Sequence, residues 1–228
     1  DVCSSDLNVY TTGRTSSNNF PTTPGAFDVT YAGLMDCFVI KLNSSGTGLL
    51  YSTFLGGTDD DCGYSLVLDA PTGEVIVTGS TKSPTFPTTA GAYQISLGLF
   101  SDIIIFRLNN TGSNLVFSSL CGTGGVDYGH SIAINSVGDI CIVGETTGPF
   151  PITAGAYQSI VGGGGWDGYA IVMNSTASTL LYATYLGGTT EDKGLAVCLD
   201  NSDNIYIASW AQSDFPVSSR SEEHTSEL

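Results

Sequence analysis

The chain repeats itself about every 65 residues, and this period limits what it can fold into. Phe-Pro pairs recur with spacings of 66, 64 and 65 residues, at Phe20, Phe86, Phe150 and Phe215. The phrases around them keep the same period, as in FPTTAGAYQ at 86–94 and FPITAGAYQ at 150–158. Phrases that hold one period indicate tandem copies of a single structural unit, in which neighbouring copies bury each other's apolar faces.

Each copy predicts four short β-strands. In the second copy they are Tyr64–Asp69, Glu74–Gly79, Asp102–Leu108 and Leu115–Leu120. Ile, Val, Phe and Tyr crowd these segments, and Gly, Asn, Ser and Pro separate them. The run Ile103–Phe106 is apolar at four successive positions, which predicts a strand covered on both faces. No window has the spacing of an amphipathic helix, so we expect 13 strands and almost no helix in residues 8–219.

Tandem four-stranded units with buried faces predict an all-β fold, a fragment of a β-propeller. Residues 8–50 are expected to form a partial blade, 51–116 and 117–181 full repeats, and 182–219 a further partial repeat. This makes about three and a quarter antiparallel blades, whereas closed propellers have about four to eight. The sequence therefore predicts an open fan of blades.

The two ends depart from the repeat and are excluded from the fold prediction. Residues 220–228 can be encoded by a string that resembles a common sequencing-library adapter. Residues 1–7 can be encoded by the reverse complement of its start. We interpret both segments as adapter-derived read-through and predict that they pack on nothing.

The repeated phrases resemble the SBBP β-propeller repeat, a family found mostly in bacterial surface and secreted proteins. The phrases that carry the resemblance are YSTFLGG at 51–57, DCG at 61–63, EVIVTGST at 74–81, FPTTAGAYQ at 86–94 and DCFVIKLN at 36–43. The copies depart from the family phrase at Cys121 and at Val172-Met173. The resemblance covers residues 8–219 and implies a propeller in an extracellular or cell-surface setting, without a catalytic motif.

Composition excludes two classes of protein. The chain has 22 acidic and 6 basic residues, a net charge of −16, so it lacks the basic footprint of a nucleic-acid-binding protein. No uninterrupted apolar run has the length of a transmembrane helix, about 18 residues. At 41% hydrophobic residues, the chain has enough apolar surface to build a core.

One recurring motif is acidic. Asp-x-Gly occurs at one corner of every repeat, at Asp61, Asp127 and Asp192. Asp before Gly is an ordinary turn former, because its carboxylate accepts backbone N–H groups. Clustered carboxylates also suit Ca²⁺, so these residues are weak calcium candidates, and the sequence predicts no other cofactor.

The Phe-Pro loop carries aromatic residues that could stack on a sugar or a peptide, namely Phe27, Tyr93 and Tyr157. The favoured interpretation is structural, with Phe86 and Tyr93 pinning the loop to its own blade. A second turn carries the sequons Asn43, Asn109 and Asn174. They would be N-glycosylation sites only in a secreted eukaryotic protein.

No constellation of catalytic residues stands out. The cysteines Cys37, Cys62, Cys121, Cys141 and Cys198 occupy five different repeat positions. We interpret them as small buried apolar residues, and the alternative is that two of them form one disulfide. His130 has Tyr64 and Leu195 as its counterparts in other copies, so we assign it an incidental role.

The sequence therefore predicts a non-enzymatic scaffold or interaction module with a protein or glycan partner. The alternatives are a fragment of an extracellular propeller enzyme, such as a glycan hydrolase or lyase, and a propeller lectin. Because strand connections alternate between the two ends of a meander, Asp127 and Tyr157 are expected at one end and Asn109 and Asn174 at the other. Partner binding is expected at the first end, which has the long loops.

Overall fold

A computed structural model describes residues 2–3 and 7–216, and this part of the chain is all-β without a helix. Its fourteen strands form four antiparallel sheets. Sheet 1 contains β1 (Val2–Cys3), β2 (Val9–Thr15), β3 (Asp36–Leu42) and β4 (Leu49–Leu55). Sheet 2 contains β5 (Asp61–Asp69), β6 (Glu74–Thr81), β7 (Asp102–Leu108) and β8 (Leu115–Cys121). Sheet 3 contains β9 (Asp127–Ile134), β10 (Ile140–Thr146), β11 (Asp167–Met173) and β12 (Leu180–Leu186). Sheet 4 contains β13 (Asp192–Leu199) and β14 (Ile205–Ala211).

Every sheet is a meander whose strands follow in chain order, and the sheets do not close on themselves. Thirteen strands lie between Val9 and Ala211, the number predicted for residues 8–219. The first strands of neighbouring sheets pack side by side, β5 against β9 and β9 against β13. The four-stranded unit predicted from the repeat is therefore confirmed, and its first strands line a common edge.

Strand β7 shows how the sheets hold one another. Residues Ile103–Phe106 are fully buried, as the apolar run predicts. Ile103 and Ile105 belong to a core shared with sheet 3, whereas Ile104 and Phe106 belong to a core shared with sheet 1. Successive side chains of a strand point to opposite faces, so one strand serves two inter-sheet cores.

The two ends of the sheets carry different residues. Strands β5, β9 and β13 begin at the Asp-x-Gly aspartates, and we call this the Asp end. The turns after β3, β7 and β11 begin at Asn43, Asn109 and Asn174, and we call this the Asn end. The antiparallel registers put these two sets at opposite ends, which confirms that part of the prediction from strand parity.

The predicted position of Tyr157 at the Asp end is wrong. The long loop after the second strand does not stay at that end, because it folds back along the outer edge of the fourth strand. In sheet 2, Thr89 N donates to Ser118 O at 2.9 Å, and Tyr93 N donates to Ala177 O at 3.1 Å in an Asn-end turn of sheet 3. Tyr157 N likewise donates to Tyr182 Oη near the Asn end of β12. The loop covers an edge strand that would otherwise expose unpaired backbone groups.

The prediction that residues 1–7 pack on nothing is wrong for Val2 and Cys3. These residues form β1, which pairs with β2 in the register Val2 with Tyr10 and Cys3 with Val9. The physical reason is that the free edge of β2 accepts any extended segment that reaches it. The other predicted read-through segment, residues 220–228, lies outside the described residues.

Replacing Ile104 by Ala should destabilise the protein by about 2–5 kcal/mol, because the substitution leaves a cavity between sheets 1 and 2. Val116 lies on β8 and is half exposed, so Val116→Ala should change the free energy of unfolding by less than about 0.5 kcal/mol. Urea denaturation of both variants measures the difference. Equal effects would contradict the two-sided packing of sheet 2.

Candidate functional site

Each corner at the Asp end holds two buried aspartates on either side of a glycine. The pairs are Asp36 with Asp61, Asp102 with Asp127, and Asp167 with Asp192. A Cβ added to Gly56 would lie 2.9 Å from Asp36 Oδ1 and 2.9 Å from Asp61 Oδ2. Any side chain at Gly56 would therefore collide with both carboxyl groups, which explains the glycine that recurs there.

The carboxyl groups hold the ends of two loops. Gly57 N and Ser83 Oγ both donate to Asp61 Oδ2 at 2.7 Å. In the next copy, Gly98 N donates to Asp102 Oδ2 at 2.7 Å and Thr123 N donates to Asp127 Oδ2 at 3.3 Å. Each pair thereby ties the long loop to the connection that leads into the next sheet.

Burial shifts the titration of these groups. It raises the pKa of Asp61 to about 6 and that of Asp127 to about 7, although hydrogen bonds oppose the shift. The nearby Asp36 and Asp102 carboxyl groups raise these two pKa values further, because like charges disfavour ionisation. Near neutral pH, part of the population therefore carries a protonated carboxyl group at these corners.

As a calcium site, each corner offers few ligands. Calcium takes about six to eight oxygen ligands, and each corner supplies two carboxyl groups. Within residues 7–216, no group of three or more His, Cys, Asp and Glu side chains is placed to hold a metal ion. The arrangement is better suited to binding backbone amides, which the aspartates already do.

Stability should fall as the pH rises from 5 to 8. An unfolded Asp has a pKa of about 3.9, so a folded pKa near 6 or 7 means that folding favours the protonated form. This stabilisation is fully present below about pH 4 and is lost as the pH rises through the folded pKa values. Thermal unfolding across this range should show a decreasing Tm.

The variant Asp127→Asn should flatten this pH dependence, because its side chain cannot ionise. Asp214→Asn is the matched control, since it removes the same charge from an exposed loop residue. If both variants show the same dependence on pH as the parent chain, the buried pair is not its source.

A second arrangement lies along the first strands near the Asp end. We call it the inner strip; it contains Tyr64, Tyr128, His130, Glu145, Trp166 and Lys193. The rings of Tyr64 and Tyr128 meet edge to face with centroids 6.0 Å apart, and Tyr128 stacks on Trp166 at 5.5 Å. These side chains come from sheets 2, 3 and 4, so the strip crosses two inter-sheet boundaries.

The strip combines its rings with charged groups. Lys193 Nζ lies 5.4 Å from the centroid of the Trp166 ring and 2.8 Å from Glu145 Oε2. His130 Nε2 lies 3.1 Å from Glu145 Oε1. Burial alone would raise the pKa of Glu145, but the hydrogen bonds from His130 and Lys193 outweigh it and lower that pKa. Glu145 is therefore a carboxylate near neutral pH.

A small polar cavity of about 50 Å³ adjoins the strip at Tyr64 and Tyr128. Its remaining lining residues are Arg14, Met35, Asp60, Cys62, Ser80 and Lys82. Lys82 Nζ lies 3.1 Å from Asp60 Oδ2, and Ser80 Oγ donates to Tyr64 Oη at 3.3 Å. Both hydrogen-bond donors and acceptors thus border a space large enough to hold water.

Sequence reasoning missed the strip because it treated His130 alone. The signal that could have revealed it is variation between copies at positions that share one place in the repeat. The residue after the Asp-x-Gly aspartate is Cys62, Tyr128 or Lys193, whereas the aspartate and glycine on either side are the same in all three copies. The position between them therefore accepts different side chains within the same fold.

The other predicted site residues lie elsewhere. Phe27, Tyr93 and Tyr157 lie on the long loops, and Tyr157 is 65% exposed. Phe86, the predicted loop anchor, is buried in the core shared by sheets 1 and 2. In the sequon turns, Asn109 Oδ1 accepts from Ser113 N at 2.9 Å, and Asn43 and Asn174 make the corresponding bonds. The structure therefore does not bring these residues together with the inner strip.

The five cysteines within residues 7–216 are free thiols. The prediction of burial is confirmed for Cys37, Cys62, Cys121 and Cys141. It is wrong for Cys198, which lies exposed on the terminal sheet. Burial raises the pKa of Cys141 to about 11, so this thiol resists ionisation at neutral pH.

Among these five residues, Cys198 should react first with iodoacetamide at pH 8, because alkylation needs an accessible thiolate. Peptide mass spectrometry of briefly treated native protein measures the order of labelling, and urea-unfolded protein provides the fully reactive reference. Equally fast labelling of Cys141 would contradict the burial of that thiol.

The chain matches no protein-family model and no curated protein sequence. In the described residues, no helix has the length and apolar character needed to cross a membrane.

Proposed function

We propose that the chain is a non-enzymatic β-propeller repeat module of a secreted or cell-surface protein, and that it presents an interaction surface. The tandem four-stranded meanders that pack face to face support the propeller assignment. The resemblance of the repeated phrases to SBBP repeats supports the extracellular setting. The same resemblance brings no catalytic motif.

The observation that carries the proposal is the inner strip. In a repeat protein, positions required by the fold recur in every copy, as the corner aspartates do. The strip instead collects residues that differ between copies, and it leaves Tyr64 40% exposed. Partly exposed aromatic rings beside charged groups are typical of binding surfaces.

The state of Glu145 favours binding over catalysis. A general acid that works near neutral pH needs a raised pKa, whereas His130 and Lys193 lower the pKa of Glu145. Lys193 forms an ion pair with this carboxylate, and His130 Nε2 is hydrogen-bonded to it. The strip therefore offers fixed hydrogen-bonding groups rather than a poised acid and base.

The test is retention of the whole chain on arrays of purified extracellular proteins and polysaccharides, with the mass of each retained ligand measured before and after contact. We expect a retained ligand of unchanged mass. Tyr128→Ala should weaken its binding about tenfold, because one stacked ring contributes up to about 1.4 kcal/mol. Other copies have Cys62 or Lys193 at this position, so the fold does not require Tyr128.

Tyr157→Ala is the matched control, since it removes the same side chain from a long loop outside the strip. It should leave binding unchanged. Chemical conversion of a retained ligand would overturn the non-enzymatic assignment. Loss of binding in Tyr157→Ala but not in Tyr128→Ala would move the interaction surface to the long loops.

A further inference from the structure

We infer that the inner strip binds a neutral carbohydrate, with sugar rings against the aromatic side chains and a hydroxyl-bearing group in the adjoining polar cavity. This inference rests on the proposed function and names the ligand class of the same surface. Four properties of the strip lead to it: its ring arrangement, its cavity, its charge pairing and its narrow polar character.

The aromatic rings form a continuous row. Centroid distances of 6.0 Å between Tyr64 and Tyr128 and 5.5 Å between Tyr128 and Trp166 leave no gap for another side chain. His130 flanks the row at 5.7 Å from Tyr64. Because Tyr128 and Trp166 stack on each other, the open end of the row is Tyr64, which is 40% exposed. A pyranose has an apolar face of C–H groups and a rim of hydroxyls, so it can pack on such an aromatic ring and bond to its polar tip.

The cavity at one end of this row suits a hydroxyl or hydroxymethyl group. Its volume of about 50 Å³ exceeds the roughly 10–15 Å³ that a single buried water requires, so it has room for a small polar group of a ligand. Asp60 offers an acceptor, Lys82 offers donors, and the Tyr64 hydroxyl offers both. A sugar hydroxyl is itself donor and acceptor, so it can satisfy such a mixed lining.

The charges around the strip favour a neutral ligand. Lys82 is paired with Asp60 at 3.1 Å and Lys193 with Glu145 at 2.8 Å, while the Arg14 guanidinium in the cavity lining donates to Cys62 Sγ at 3.6 Å. An anionic ligand could reach Arg14 but would have to displace the two carboxylates in a chain of net charge −16, and a cationic ligand would have to displace the lysines. A neutral polyol can instead bond to both members of each pair, through charge-assisted hydrogen bonds.

A sugar also suits the polarity of the strip better than a protein partner does. A stable protein interface buries about 800 Å² on each side around a dry apolar centre. Here His130 and Glu145, which are 3.1 Å apart and hydrogen-bonded, flank the row of rings, so this surface is polar. A narrow ligand with many hydroxyl groups makes use of that polarity, whereas a protein would have to desolvate it.

The experiment uses the full chain with Trp210→Phe, which leaves Trp166 as the sole tryptophan and reporter. Tryptophan fluorescence is recorded during titration with neutral hexasaccharides of β-1,4-glucose, β-1,4-N-acetylglucosamine, β-1,4-mannose and α-1,4-glucose. Polygalacturonate is the acidic probe. We expect at least one neutral oligosaccharide to bind saturably, and Tyr128→Ala to weaken that binding about tenfold.

Two further variants sharpen the result. Tyr157→Ala should leave the affinity unchanged. His130→Leu gives the third sheet the residue that Leu195 provides in the next copy, so it preserves the fold should Tyr128→Ala fail to fold. It should also weaken binding, because it removes a polar ring from the strip.

Failure to bind any of the neutral oligosaccharides would overturn the inference, and so would binding of polygalacturonate alone. A purified protein that binds in a Tyr128-dependent way, while no neutral oligosaccharide does, would also overturn it. That last outcome would leave the proposed interaction module intact, whereas ligand conversion or loss of all Tyr128-dependent binding would count against both.

Discussion

The fold depends on sheets that are apolar on both faces and must therefore be covered on both. Strand β7 shows this requirement for cover on both faces most clearly, because Ile104 and Phe106 face sheet 1 while Ile103 and Ile105 face sheet 3. A single four-stranded sheet could not satisfy it, since one face would remain in water. Tandem repetition of the 65-residue unit satisfies this constraint, because each copy covers an apolar face of the next. Tandem stacking also brings the first strands together, and this contact creates the inner strip.

The corner aspartates are costly to ionise where they are buried, but they order the connections between the sheets. Asp61 and Asp127 are fully buried, and their raised pKa values measure the cost of ionising a carboxyl group in that setting. They nevertheless recur, because each one supplies acceptors for backbone N–H groups of a loop that has no strand partner. The same arrangement requires the glycine between the two carboxyl groups of a pair, because any side chain at that position would collide with them.

Strand number, the two-sided burial of β7 and the opposite placement of Asp and Asn turns were all predictable, because they depend on alternation and parity. The position of Tyr157 was not, since a 20-residue loop can double back, and parity fixes only where its ends lie. The exposure of Cys198 escaped prediction for a different reason: its pattern is that of a covered strand, but sheet 4 has two described strands and leaves one face open. Val2 and Cys3 show that an open edge can recruit residues outside the repeat.

The inner strip was hidden from sequence because its members are scattered, from Tyr64 to Lys193, and no two form a motif. Comparing the copies with one another gives the missing signal. The aspartate and glycine of each corner stay constant because packing and hydrogen bonding require them, so the position between them is where the chain can vary without cost to the fold. If the side chains at these varying positions had no common role, we would not expect them to contact one another. Here Tyr128 instead stacks on Trp166, and Lys193 lies over the Trp166 ring across a sheet boundary. A repeat architecture thus separates the residues that build the scaffold from those that can vary, and the contacts among the varying residues define the surface that we propose for binding.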